Sequence, residues 1–157
     1  MKTILQRALP ALALCTSLIL SVATAHAQDE ARTKSGSVFT VRMVRTDALS
    51  KQEYLNQLTE YYIPQMEAAK AQGLILSYRI LSGTYSNDDD FDVMMMVELP
   101  NMAALDPDPA REAKWKAIRD ELTAKVGGDE KLKAMRSTLD DLRTFQGEKL
   151  MRTVLLK

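Results

Sequence analysis

The chain has 157 residues, with 21 basic and 21 acidic side chains and a formal net charge of zero at pH 7. That balance leaves no electrostatic footprint for a nucleic acid or for an anionic membrane surface. The single cysteine (Cys15) and the single histidine (His26) both fall within the first 27 residues.

Those residues have the pattern of a signal peptide. Lys2 and Arg7 form a basic start, Ala8 to Val22 an apolar stretch, and Ala25-His26-Ala27 a small-x-small cleavage site. The apolar run is too short for a good membrane span, and no stop-transfer pattern follows it. A lipoprotein reading through Cys15 is poor, because Leu14 rather than a small residue precedes it. Cleavage after Ala27 is therefore expected, giving an exported protein, periplasmic or secreted, with no membrane attachment. The remaining 130 residues, 28–157, carry neither thiol nor imidazole, and without Lys2 and Arg7 they hold 19 basic against 21 acidic side chains, a net charge of −2. Disulfides, thiolate nucleophiles, Cys/His zinc sites, Ser-His-Asp triads and a proximal haem histidine are excluded within one such chain. No cofactor and no metal are expected. One domain fits this length, large enough for a core without disulfide staples.

Residues 28–36 (QDEARTKSG) are polar and small and read as a flexible lead-in to a single domain over 37–157. Ser37 to Thr46 reads as a strand, with Phe39, Val41 and Met43 on one face and Thr40, Arg42 and Val44 on the other. Ser50 to Gln72 reads as one long helix, opened by a Ser50/Glu53 capping box and striped by Leu55, Leu58, Tyr62, Met66 and Ala69. Pro64 should bend it without ending it, and Gly73 should stop it. Leu74 to Ser82 alternates as a second strand. A turn-rich loop, Gly83 to Asp90, then leads to a third strand, Phe91 to Leu99, so the two strands form a hairpin. Asp108 as N-cap with Pro109 behind it starts a helix striped by Trp115, Ile118, Leu122 and Val126, which Gly127-Gly128 ends. A further helix from Asp129 carries Leu132, Met135, Leu139 and Leu142, and Met151 to Leu156 reads as a short final strand.

The element order is β-α-β-β-α-α-β. Together with the run YYIPQMEAAKAQGLILSYRI, in which a proline interrupts the first helix, a glycine ends it and an aromatic-bearing strand follows, it resembles the dimeric α/β-barrel superfamily of ferredoxin-like domains. The likeness is to exported members near the antibiotic-biosynthesis-monooxygenase-like and stress-responsive A/B-barrel groups. It implies an α+β fold: a four-stranded antiparallel sheet with helices on one face, whose bare face meets that of a second subunit to close a dimeric α/β barrel. The residues themselves agree. If Phe91, Val93, Met95 and Val97 face the helices, then Met94, Met96, Val44 and Leu81 form an uncovered apolar patch, and a homodimer is the natural cover.

Strand alternation also places Arg42, Arg79, Asp92 and Glu98 on that bare face, where they either fix an anionic or enolic ligand or pair across the dimer seam. Met94, Met95 and Met96 invite a soft-metal reading, but adaptable core filling explains them better. Asp88-Asp89-Asp90 lacks the ligand spacing of a calcium loop and reads as a solvated hairpin tip. Tyr61, Tyr62, Tyr78 and Trp115 either line a cavity between helices and sheet, where the superfamily's ligand sites lie, or simply fill core; with histidine absent, tyrosine is the neutral proton donor at hand. The candidate ligand-binding residues are thus Arg42, Tyr62, Tyr78, Arg79, Met94, Met96, Glu98 and Trp115. No catalytic motif of the superfamily maps onto the chain, so no catalytic residue is assigned. The function expected is a small-ligand-binding or stress-associated homodimeric module for a hydrophobic or weakly acidic molecule. The alternative is a cofactor-independent monooxygenase-like enzyme that stabilises an enolate with Arg42, Arg79 and Tyr78.

Overall fold

The computed structural model describes residues 33–47 and 49–156; the leader and its cleavage site lie outside them. Four strands, β1 (Thr33–Thr46), β2 (Ser77–Ser82), β3 (Val93–Leu99) and β4 (Arg143–Leu156), form one sheet in the order β2-β3-β1-β4. Every neighbouring pair is antiparallel. Two helical connections, α1 (Lys51–Glu60) with α2 (Tyr62–Ala71), and α3 (Pro109–Val126) with α4 (Asp129–Asp141), each carry the chain two places across the sheet. This split β-α-β arrangement, made twice, is the ferredoxin-like α+β fold. No helix among the described residues is long and apolar enough to cross a membrane.

The first connection differs from the single bent helix expected over Ser50 to Gln72. The helix breaks at Tyr61, whose φ of −135° is not helical. Pro64 accounts for the position. Its nitrogen has no hydrogen to give the Glu60 carbonyl, and its ring would collide with that same carbonyl. The chain therefore leaves the helix just after Glu60 and restarts, the Gln65 amide bonding to the Tyr61 carbonyl at 3.0 Å. The element order becomes β-α-α-β-β-α-α-β. The expected capping box is also absent: Ser50 has helical backbone angles and its side chain caps nothing, whereas a capping hydroxyl needs an extended residue to reach back. Glu53 instead accepts from Gln57 at 2.7 Å. The stripe shifts by one residue at its start, with Tyr54 buried in place of Leu55.

The stop signals hold. Gly73 has φ +69°, and the Leu74 amide reaches back to the Ala69 carbonyl at 2.9 Å, the six-to-one bond that a glycine terminator permits. At the second connection the Asp108 carboxylate accepts from the Arg111 amide at 3.0 Å, with Pro109 in the first turn. Gly127, at φ +102°, closes α3, and the Gly128 amide bonds to the Thr123 carbonyl at 2.8 Å.

Strand limits move more. Leu74 and Ile75 are buried core residues of the connection, ahead of a strand that begins only at Ser77. The last strand starts at Arg143, well before Met151. It is an edge strand with most of its residues exposed, so nothing forces its sequence to alternate. Gly147, at φ +148°, sits where its register against β1 shifts between Met43 and Val44. Residues 33–36, expected within the flexible lead-in, belong to β1: Thr33, Lys34 and Ser35 pair with Leu156, Leu155 and Val154. Their place in the sheet comes from that pairing.

Register decides the faces. Val38, Thr40, Arg42 and Val44 of β1 lie opposite Leu99, Val97, Met95 and Val93 of β3, while Phe39, Val41 and Met43 lie opposite Glu98, Met96 and Met94. Directly paired residues share a face. Arg42 and Val44 are therefore on the helix-bearing face, not with Met94 and Met96 as expected, and Phe39, Val41 and Met43 take their place on the bare one. Beneath the helices the buried side chains fall into two groups. The larger gathers Val38, Tyr61, Met66, Ile118, Leu122 and Leu132 among others. The smaller joins Val44, Tyr54, Leu58, Val93 and Met95.

Candidate functional site

A cavity of about 260 Å³ opens where these two groups meet, drawing Tyr54, Leu58 and Met95 from one and Tyr61 and Leu132 from the other. Its floor is the opposed pair Arg42 and Met95. Tyr54, Leu58, Tyr61, Tyr62 and Gln65 come from the two halves of the broken helix, and Leu132, Met135, Arg136, Leu139 and Asp140 from α4. Arg143, the first residue of β4, closes it. The spacing explains the gathering: steps of three and four residues keep one helix face turned to the same place.

The polar groups are mostly cations and phenols. Arg143 donates to Asp140 at 2.8 Å and to the Tyr54 hydroxyl at 3.3 Å. Tyr54 in turn donates to the Met95 sulfur at 3.8 Å. Arg42 pairs with Glu148 at 3.2 Å, both half exposed at the mouth. Arg136 lies over the Tyr61 ring, 5.6 Å from its centroid, and takes part in no ion pair among the described residues. The Tyr61 hydroxyl is buried with no hydrogen-bond partner among them. Such a group ordinarily costs about 1–3 kcal/mol. Burial pushes the Tyr54 phenol up, with Arg143 opposing it, and burial likewise raises Tyr62. Both remain protonated donors at neutral pH. Three guanidinium groups against one carboxylate give the lining a positive balance suited to a small anion.

The residues named from sequence separate into three places. Arg42 and Tyr62 line the cavity. Tyr78 and Trp115 are on the same side of the sheet but outside it. The Tyr78 hydroxyl donates to Glu67 at 2.7 Å, and that bond pushes its pKa up to about 12. Trp115 belongs to a more open groove of about 610 Å³ with Thr40, Met66 and Leu105. Arg79, Met94, Met96 and Glu98 are on the bare face. There Glu98 accepts from Ser37 and Ser77 at 2.6 Å each, and those hydroxyls hold its carboxyl below the usual range. Arg42, Arg79 and Tyr78, the set required by an enolate-stabilising enzyme, do not converge on one point.

Asp92 is not on the bare face either. It is buried at the end of the sheet, accepting from the Thr46 amide at 2.9 Å, the Thr46 hydroxyl at 2.6 Å and Lys51 at 3.1 Å. Burial pushes its carboxyl up, but these donors outweigh burial and the net shift is downward. The nearby Asp90 accepts from the amides of Ser86 and Phe91, shaping the hairpin loop. Among the described residues no three Cys, His, Asp or Glu side chains converge as metal ligands would.

Tyr54, Gln65, Arg136, Asp140 and Arg143 were missed as cavity residues. For Arg136 and Asp140 a signal existed, since each directly follows an apolar stripe residue of α4 (Met135, Leu139). For Arg143 none did, because the strand it begins carries no alternation.

No family model matches the chain, and no curated protein matches it in sequence. Among solved structures it is similar to a dimeric ferredoxin-like protein from an uncultured marine organism, at 12% identity over 79% of this chain and 90% of that one, with a TM-score of 0.42. It is also similar to a NIPSNAP family protein from Agrobacterium tumefaciens strain C58, at 16% identity over 76% of this chain and 91% of that one, with a TM-score of 0.35. The ferredoxin-like assignment rests on the chain's own strand order and register.

Proposed function

We propose that the protein is an exported, homodimeric module that binds a small hydrophobic or weakly acidic molecule in the cavity between α1, α2, α4 and the sheet. The observation that carries this reading is the cavity itself: about 260 Å³ walled by tyrosine rings, leucines and thioethers, with three guanidinium groups and one carboxylate in its lining. Apolar walls with a few convergent polar groups are the usual make-up of small-molecule sites. Export is supported by the leader pattern of residues 1–27. Dimerisation is supported by the helix-free sheet face, where Phe39, Met94 and Met96 are half buried beside the buried Val41 and Met43. An apolar patch of this kind favours a self-complementary two-fold contact.

A native mass spectrum of the protein, purified gently from the exported fraction, tests all three parts together. The expected result is a chain starting at Gln28, two copies per particle, and a discrete small mass retained. A monomer would overturn the reading of the bare face, and an uncut leader the reading of export. A Met96→Asp variant should be monomeric yet keep the bound mass, since Met96 lies on the far side of the sheet from the cavity.

A further inference from the structure

Resting on the homodimer proposed above, we infer how its two copies join: along the open edge of β4, in an antiparallel seam with Leu150 on the two-fold axis. β4 pairs with β1 on one side only, so its other side offers a row of free backbone donors and acceptors. Such edges are ordinarily guarded by brevity, charge or proline. This one runs for 14 residues without a proline. Phe145, Leu150, Met151, Val154, Leu155 and Leu156 lie exposed along it.

Two observations centre the seam. The first is regularity. Between the register shift beside Gly147 and the one opposite Thr153, Glu148 to Arg152 run evenly against Arg42 to Val38. A bulge disrupts the ladder and bends its strand, so this even stretch is the part fit to take another strand. Its middle residue is Leu150. The second is charge. Paired residues share a face, so a two-fold seam that keeps the helices of both copies on one side sets a single residue opposite itself. Centring on Glu148, Lys149 or Arg152 opposes like charges. Centring on Met151 sets Glu148 against the partner's Val154 and Arg152 against the partner's Leu150. Centring on Leu150 sets Glu148 against the partner's Arg152, and symmetry makes that pair twice. Arg152 has no carboxylate partner among the described residues, its side chain reaching only the Ser35 hydroxyl at 3.4 Å. Eight strands joined in this way also match the barrel size whose interior side chains just fill. The seam thus fixes the orientation, and the helix-free faces with Phe39, Met94 and Met96 supply buried area.

The test uses single cysteines, since residues 28–157 contain none of their own. Leu150→Cys should link two copies covalently under mild oxidation or with a short bis-maleimide. Val154→Cys should not, although Val154 is the more exposed, at 60% against 48%. Its two copies would lie eight residues apart along the seam, about 26 Å. Arg152→Glu, which brings carboxylates together at both ends of the seam, should weaken the dimer about tenfold or more in sedimentation. Adding Glu148→Arg should restore it. Val154→Cys linking as readily as Leu150→Cys would overturn the seam, as chance collision. A protein that stays dimeric while Leu150→Cys fails to link would overturn it too, leaving the helix-free face as the contact. If Met96→Asp stays dimeric and Leu150→Cys still links, the seam stands and the reading of the helix-free face fails. A monomer overturns both.

Discussion

Arg143 holds Tyr54 in two ways at once: its guanidinium carbon is 5.8 Å from the ring centroid, and one nitrogen donates to the hydroxyl at 3.3 Å. Asp140 grips the other nitrogen at 2.8 Å. A side chain from α4, the first residue of β4 and a buried phenol of α1 are thereby locked together on one wall of the cavity. Tyr54→Phe should cost about 1 kcal/mol of stability and Arg143→Leu about 1–2 kcal/mol. The double variant should cost little more than Arg143→Leu alone, because the two changes remove the same contact. Urea unfolding of all four proteins measures this, and fully additive costs would show that the two side chains act separately.

Asp92 ties β3 to the end of β1 and the start of α1. Asp92→Ala should cost about 2–3 kcal/mol, because the buried Thr46 amide and hydroxyl lose a charged acceptor. The carboxyl's folded-state pKa lies below its unfolded one, near 3.9. Its contribution is therefore fully present above the unfolded value and is lost as pH falls through the folded one. Acid unfolding curves of the protein and of the Asp92→Ala variant should converge as pH falls below the ordinary carboxylate range; curves that stay parallel would remove Asp92 from the account.

Tyr78 offers the opposite sign. Its bond to Glu67 raises the phenol to about 12, so the bond's stabilisation is complete below the ordinary tyrosine value near 10. It disappears as pH rises from there through about 12. Ultraviolet titration should show, beside the burial-raised Tyr54 and Tyr62, a late-ionising tyrosine that returns to the ordinary range in Glu67→Gln. No change in that variant would mean that burial rather than Glu67 sets the shift.

Gly127 ends α3 at φ +102°. Gly127→Ala should cost about 1–2 kcal/mol, the penalty of a side chain in left-handed backbone. The contact it would make, 3.1 Å to Cδ of Lys131, is with a flexible chain that can move aside. Gly83→Ala, at a position without positive φ and with open space around it, should be neutral or stabilise by about 0.5 kcal/mol. Thermal unfolding of the pair separates backbone strain from a general intolerance of alanine.

How much of this was legible depended on whether the signal was local. Gly73, Asp108 with Pro109, and Gly127-Gly128 announce helix ends, because the conformations they require are set by their own covalent structure. Pro64 does more than bend the helix: its effect lands on the Glu60 carbonyl and breaks the helix at Tyr61. The strand Arg143–Leu150 was invisible, since an edge strand exposed on both faces has no reason to alternate. Residues 33–36 were invisible for a related reason, their order coming from a partner more than a hundred residues away.

From sequence alone came the ferredoxin-like order of elements and two alternating faces for each central strand. Composition and pattern also set the expectation of a site without cysteine or histidine, and the described residues contain neither. Only the tertiary structure decided which face of one strand joins which face of the next, because alternation has a period of two and carries no label for its partner. That choice moved Arg42 from the bare face to the floor of a cavity. It also left Arg79, Met94, Met96 and Glu98 on the opposite side of the sheet, and brought Arg136, Asp140 and Arg143, distant in sequence from Tyr54 and Tyr61, onto the wall beside them.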